Sequence, residues 1–372
     1  MTVIELFDES KTENIISILC EKYERIVFVG DKTVMNDAAA ENAGRFVKNN
    51  FPEIQFSFVY PKADDVKSAV EALDDIITEY GDCCFEATGG SDAVLIAVGI
   101  ISERYNLPII NYDVRNPGKV TKRLSLHQVV ELNGGVVEDF ENNVRTADSV
   151  LRKDVSFLWR MGRNDPEFWI KGGKLLGECQ AHLSGLKVNI RNRSLNDFES
   201  AFLNKLSSAG FIEELQTARN TLTFYYRDDK IRRILIKAGN LLELVTFFAV
   251  YSRISESDAY RGVTLVHESE SPDEFVRNEV DVMFMQGLQP VFVSCKAGNI
   301  SKDALYELET VAARFGGKYA KKMLVTGCIR QNCTNYEYFE KRAKSMGIIL
   351  IDNVYKKTID AVGEEILAAI SK

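Results

Sequence analysis

The chain runs to 372 residues, 45% of them apolar and 27% charged, which corresponds to two or three folded domains and excludes a disordered or low-complexity protein. Its formal charge of −8 speaks against an obligate DNA-coating role but leaves room for local basic faces. Apolar runs such as 94–101 fall far short of the ~20 residues of a membrane span, and the first residues lack a basic and apolar leader, so a cytoplasmic protein without membrane contact is expected.

Residues 2–7 read as a strand and 12–23 as a helix. The β-branched and aromatic stretches 25–29 and 54–60 read as strands, with a helix over 36–48 between them. Val66, Val70, Leu73, Ile76 and Ile77 stand close to helical spacing within 64–80, and 82–87, 92–105 and 107–112 then predict strand, helix and strand. Such a βαβαβαβαβ run requires a parallel sheet covered on both faces. Residues 124–132 and 135–137 read as a hairpin around Asn133-Gly134. From 151 to 238 the pattern is mainly helical, with a helix at 196–208. Strands at 221–226 and 230–236 then flank Arg227-Asp228-Asp229, a combination that reads as a winged-helix-like module or as a connecting or dimerising element. The remainder predicts a second α/β unit: helix 240–253, strands 262–268, 279–285 and 289–295, helix 302–315, strand 322–326, helix 336–346, strand 348–351 and helix 358–370. The expected division is 1–145, 146–237 and 238–372.

The seven cysteines form no C-x-x-C pair: Cys83-Cys84 lies in a strand-like run, and Cys328 and Cys333 are isolated. His127, His182 and His267 never stand at ligand spacing. A reduced chain without a zinc site follows, and any metal is expected to be a hard cation held by carboxylates.

Strand alternation places Glu279 and Asp281 on one face with Val280 and Val282 on the other, and Ser294 and Lys296 opposite Val293 and Cys295. The short turn Gln286-Gly287-Leu288 pairs the two strands antiparallel and brings two carboxylates beside a lysine; an exposed ion-paired strand face reads the same way. Glu243 tilts the balance. It interrupts Leu241-Leu242-Glu243-Leu244-Val245 in a helix that must pack on the sheet, where a lone charge is costly. A helix with Glu243, a strand with Asp281, a strand ending Ser294-Cys295-Lys296, then Gly298 and a helix resemble the PD-(D/E)xK nuclease fold over residues 238–350. The resemblance implies a divalent ion, Mn²⁺ or Mg²⁺, held by Asp281, by Glu243 or Glu279, and by the carbonyl of Cys295. Lys296 would then position the attacking water and offset transition-state charge. Ser294 departs from the family, which has Asp or Glu there, so Glu279 or Glu243 is left to compensate. Glu309, in the following helix, reads as a solvated or salt-bridged residue.

With strand order 3-2-1-4-5, the N-terminal sheet reverses between its first and fourth strands. That brings Asp8-Glu9-Ser10-Lys11 beside Thr88-Gly89-Gly90-Ser91-Asp92, a Gly-Gly turn opening a helix whose free N–H groups favour an anion. Gly30-Asp31-Lys32-Thr33 rims the same edge. Neither a dinucleotide fingerprint nor a P-loop is present, which speaks against NAD binding and P-loop ATP hydrolysis. The turn with Asp8, Glu9 and Asn14 and the Ala-Thr-Gly-Gly-Ser turn resemble the CRISPR-associated Rossmann fold, or CARF, domain.

Together the two halves look like the Card/Can-type ancillary nucleases of type III CRISPR immunity. The resemblance implies a Rossmann-like CARF domain and a restriction-endonuclease-like α/β domain joined by a mainly helical connector. It further implies a homodimer that binds one cyclic oligoadenylate, the tetramer, across its two-fold axis through the N-terminal loops, and then cleaves single-stranded RNA and DNA or nicks duplex DNA. The alternative is a ligand-responsive transcriptional regulator with an inactive nuclease fold and the hairpin as its wing. Arg219, Arg227, Lys230, Arg232, Arg233 and Lys237 crowd that hairpin around Phe224, Tyr225 and Tyr226, and Lys318, Lys321 and Lys322 lie near the second α/β unit. These are candidates for single-strand contact, although adjacent Arg232 and Arg233 would face opposite sides of a strand.

Overall fold

The structure, a computed structural model, describes residues 1–140, 149–163, 165, 167–217, 220–254, 259–268, 275–298, 300–327 and 335–371. Arg219, Cys328 and Cys333 lie outside them.

The N-terminal unit comprises β1 (Thr2–Leu6), a 3-10 turn (Glu13–Ile15), α1 (Ile16–Cys20), β2 (Arg25–Val29), α2 (Asp37–Asn50), β3 (Gln55–Val59), α3 (Val66–Tyr80), β4 (Cys83–Glu86), α4 (Asp92–Tyr105), β5 (Ile109–Ile110) and α5 (Leu126–Leu132). Its strands are all parallel in the order β3-β2-β1-β4-β5, as expected. Ile26, Val27, Phe28 and Val29 are wholly buried, the continuous apolar run of a strand covered on both faces. On one face Ile4, Leu6, Val27 and Val29 pack against α3 and α4 through Leu73, Ile76, Val94 and Val98. On the other, Val3, Phe7, Ile26 and Phe28 pack with residues of α1, α2 and α5.

Two segments correct the sequence reading. Residues 124–132 are not a strand of a hairpin but lead into helix α5, because Ser125 and Gln128 form a capping box that satisfies both ends of its first turn. Residues 136–139 form β6 (Val136–Asp139), which joins not a hairpin partner but the far sheet, pairing antiparallel with β11 (Ala259–Glu268).

The middle of the chain holds α6 (Ser149–Met161), α7 (Glu167–Gln180), β7 (Leu183–Ser184), β8 (Lys187–Arg191), α8 (Asp197–Ser208), β9 (Ile212–Gln216), β10 (Thr221–Tyr226) and α9 (Asp229–Leu235). Its small sheet runs β7-β8-β10-β9. The expected strand at 230–236 is helix α9: Asp228 caps it by accepting from the Ile231 N–H at 2.8 Å, and Ile231, Ile234 and Leu235 share its buried face. Arg232 and Arg233, expected on opposite faces, both reach back to Asp229. With 230–236 helical, the expected hairpin with 221–226 does not form; β10 pairs instead with β8 and β9, and its Phe224 and Tyr226 are buried.

The C-terminal unit adds α10 (Ala238–Tyr251), β11, β12 (Phe275–Gln286), β13 (Gln289–Lys296), α11 (Lys302–Gly316), β14 (Lys321–Thr326), α12 (Tyr336–Ser345), β15 (Ile348–Ile351) and α13 (Ile359–Ile370). Its mixed sheet runs β15-β14-β13-β12-β11-β6, with β12 and β13 antiparallel as the short turn required. The same apolar cluster that covers the N-terminal sheet continues through α5 to Met283, Phe292, Leu308 and Phe315 of this unit. No single helix among the described residues is long and apolar enough to cross a membrane, and the described cysteines are all free thiols, buried in the fold.

Candidate active site

The site forms where β12 and β13 part. Their ladder runs from Gln286↔Gln289 to Val282↔Val293 and stops there. One residue further, the Asp281 carboxylate takes the Cys295 N–H at 2.6 Å in place of a strand carbonyl, and Ser294 Oγ lies 3.4 Å from the same oxygen. On its other side Asp281 stands opposite Gly262, whose φ of +56° lies in the left-handed region that glycine enters without steric cost. Side-chain alternation breaks there. Val282 packs on the α10 side whereas Val280 joins the opposite cluster, so the expectation that both share one face is corrected by this kink.

The parted strands open a cavity of about 340 Å³ lined by Glu243, Glu279, Asp281, Ser294 and Lys296, with Lys237 and Asn240 from the start of α10 and Glu307 and Leu308 from α11. All five residues expected to be catalytic therefore meet in one place. Cys295 reaches it only through its backbone: the thiol is buried against Thr246 Oγ1 at 3.6 Å, and burial raises its proton affinity well above the ordinary value. Asn240 and Glu307 were not singled out from sequence, and Lys237 was expected only as a candidate for single-strand contact. Asn240 lies one helical turn before Glu243, a spacing legible in sequence once α10 is known to start at 238. Glu309 stands apart from the cavity and pairs with Lys322 at 2.6 Å, as its salt-bridged reading required.

Burial pushes the Glu243 carboxyl up to about 8, with the charges of Asp281 and Glu279 raising it further and Lys237 and Lys296 opposing. Burial likewise raises Asp281, against the lowering effect of the Cys295 N–H and of Lys296. Arg261, buried on β11, comes within 3.4 Å of Glu243 and is itself pushed down to about 10 by desolvation. Carboxyl groups gathered in one cavity have the oxygen-donor chemistry of a hard divalent-cation site. Among the described residues no three His, Cys, Asp or Glu side chains close on one point. A divalent ion in this cavity would thus take no more than two carboxylates, its other donors being main-chain or water oxygens.

At the N-terminal sheet, the loops named from sequence all gather at the C-terminal strand ends. Asn14 and Asp8 bind reciprocally, Asp8 N–H to Asn14 Oδ1 at 2.7 Å and Asn14 Nδ2 to the Asp8 carbonyl at 2.8 Å. Asp8 also accepts from the Ser10 N–H at 2.9 Å and the Gly90 N–H at 3.4 Å, which ties the first loop to the fourth. Gly89 is required by this contact, since a Cβ there would lie 2.6 Å from the Asp8 Cβ. Glu86 accepts from the Thr88 N–H and hydroxyl, and Asp31 from those of Thr33. Ser10, Asn14, Gly30 and Asp31 are buried and build the loops, whereas Glu9, Lys32, Thr33 and Asp92 are exposed on the rim, with Lys32 paired to Asp37. Lys11, Thr88, Gly90 and Ser91 lie half-buried between them.

Residues 228–364 match the family model of the Card1-like endonuclease domain. The match contains every residue of the cavity. Over its whole length the chain shares its fold with two solved structures: protein VC1899 from Vibrio cholerae, at 18% identity and a TM-score of 0.79 over 99% of this chain and 98% of that one, and Can2 from Sulfobacillus thermosulfidooxidans in complex with cyclic tetra-adenylate, at 16% identity and a TM-score of 0.70 over 100% and 97%. A comparison with curated proteins found no match. The chain thus combines a Rossmann-like parallel sheet and a mixed sheet in the fold shared with these two structures.

Proposed function

We propose that the chain is a ligand-activated endonuclease of the PD-(D/E)xK type, working in CRISPR defence, with its phosphodiester-cleaving centre at the parting of β12 and β13. The observation that carries this reading is the convergence of Glu243, Asp281 and Lys296 on one cavity within the segment that matches an endonuclease domain. Glu243, Asp281 and the Cys295 carbonyl would hold Mg²⁺ or Mn²⁺, which when bound polarises the phosphodiester and lowers the pKa of an attacking water. Asp281 is oriented by the Cys295 N–H, and Lys296, which lines the same cavity, would offset the negative charge that builds on the non-bridging and leaving oxygens as water adds to phosphorus and the P–O bond breaks. Glu279 adds negative charge that strengthens cation binding, a role the serine at 294 leaves open.

The activator in this reading is a cyclic oligoadenylate, the tetramer, as in the Can2 complex, held by the loops at the ends of β1, β2 and β4, and the working form is a homodimer. Helix α4 begins at the Gly89-Gly90 turn and leaves Leu95, Ile96 and Ile100 exposed beside those loops, an apolar strip suited to an isologous contact. Glu13, in the turn after Asp8, receives hydrogen bonds from Tyr319 Oη and, at 3.1 Å, from Lys318 Nζ, both between α11 and β14. That strut, with the apolar cluster shared by the two units, is the route by which loop rearrangement would reach α11 and the cavity wall.

Asp281→Asn and Lys296→Ala test the site. Each is expected to lower cleavage of a single-stranded oligonucleotide at least about a hundredfold while cyclic tetra-adenylate still binds. Undiminished cleavage in both variants would place the chemistry elsewhere.

A further inference from the structure

The basic hairpin expected to hold nucleic acid does not form, so the strand that reaches the cavity needs another surface. Helix α6 provides one. Arg152, Lys153, Phe157 and Arg160 are exposed on its outer face, while Leu151, Val155, Leu158 and Trp159 are buried on the inner face. A shallow cleft of about 650 Å³ runs along the outer face and is floored by Phe211. Phe157 is 44% exposed, with its ring 5.7 Å from that of Phe211 and the Arg160 guanidinium 5.7 Å from its centroid. The one acid lining the cleft, Asp154, is already paired with Arg227, whose Nη atoms reach its two carboxylate oxygens at 3.3 and 2.5 Å. What remains facing solvent is three cations beside an aromatic face, over about 12 Å of helix.

The cleft is fixed to the nuclease unit. Trp159 Nε1 donates to the Lys357 carbonyl at 2.8 Å, and its ring packs against that of Tyr355 at 5.2 Å and a tilt of 41°. Arg152 lies 6.0 Å from the ring of Phe248 on α10, the helix that also carries Glu243. We infer that the α6 cleft is a binding groove for a single nucleic-acid strand, with Arg152, Lys153 and Arg160 on phosphates and Phe157 as a stacking platform for a base. Charge complementarity commits it to a polyanion, and the solvent-facing ring distinguishes a single strand, whose bases are free to stack, from a duplex. The inference rests on the nuclease reading for its biological sense but not for its test.

The test measures binding rather than turnover. The full chain, in EDTA so that no divalent ion is present, is titrated against fluorescein-labelled oligo(dT) and oligo(U) at several salt concentrations. Arg152→Gln/Arg160→Gln is expected to weaken binding about tenfold and to flatten the slope of log K against log salt by about 1.4, the value for two lost phosphate contacts on a single strand. Phe157→Ala is expected to weaken binding about fivefold or more without changing that slope. Wild-type affinity and slope in both variants overturn the groove, even if the protein cleaves. Conversely, loss of binding in the variants upholds the groove even if Asp281→Asn proves as active as wild type, an outcome that would count only against the proposed cleavage centre.

Discussion

Glu243 shows what a buried acid costs and what it is for. Its ordinary pKa of 4.5 is pushed up to about 8 by burial and by the neighbouring carboxylates, so between those values the folded chain keeps a proton that the unfolded chain releases. Stability contributed by the protonated form is therefore lost as pH rises through that window. In EDTA the thermal midpoint is expected to fall from pH 5 to pH 8.5, and Glu243→Gln to flatten that fall; an identical pH profile in the variant would contradict the assignment. Asp281, and Glu5 and Glu86 paired across β1 and β4 under the Thr88 turn, are raised by burial in the same sense and add to the slope. Residue chemistry was legible in the sequence wherever it broke a pattern: Glu243 within an apolar helix, Asp281 and Lys296 within apolar strands. Lys237, Asn240 and Glu307 broke none. Asn240 and Glu307 are polar residues at ordinary helical positions and Lys237 stands just before α10, and only the parting of two strands gives them a shared cavity.

At the scale of elements, the sheets were readable because runs buried on both faces are almost uninterrupted β-branched and aromatic residues. The misread elements share a cause. Short apolar stretches of seven residues fit either period, and the deciding signals were polar: the Ser125–Gln128 capping box for α5, and the Asp228 cap with Asp229–Arg232 and Asp229–Arg233 pairs for α9. Asp228→Ala, which strips the α9 N-terminus of its cap, is expected to cost about 1 kcal/mol in urea unfolding. The kink at Gly262 escaped sequence reading for another reason, since alternation is a property of an extended strand and a positive φ interrupts it. Helix α4 matters differently. Leu95, Ile96 and Ile100 remain exposed where a soluble helix face would be polar. Ile96→Asp/Ile100→Asp is expected to convert a dimer to a monomer in light scattering and to abolish activation, whereas a persistent dimer would move the interface elsewhere.

The described residues hold three sheets, of which the N-terminal parallel sheet and the C-terminal mixed sheet share one apolar cluster, with β6 of the N-terminal stretch completing the C-terminal sheet. This crossing was not visible in sequence, because the partner of an edge strand is set by tertiary packing rather than by its own residues. Its consequence is mechanical: the loops proposed to take the ligand and the cavity wall are joined through α5 and α11 and through the Glu13–Tyr319 strut. Removing the phenol by Tyr319→Phe takes a donor from a buried carboxylate, at a cost of about 1–3 kcal/mol. Ligand binding should persist while the ligand-induced gain in rate shrinks; a full gain would exclude this contact from the coupling. The measurement that bears most directly on the account is cleavage of a labelled single-stranded oligonucleotide by the wild-type chain in Mn²⁺ or Mg²⁺, with and without cyclic tetra-adenylate. The account predicts rapid cleavage only when ion and ring are both present, lost in Asp281→Asn; equal rates with and without the ring, or no cleavage under any combination, would contradict it.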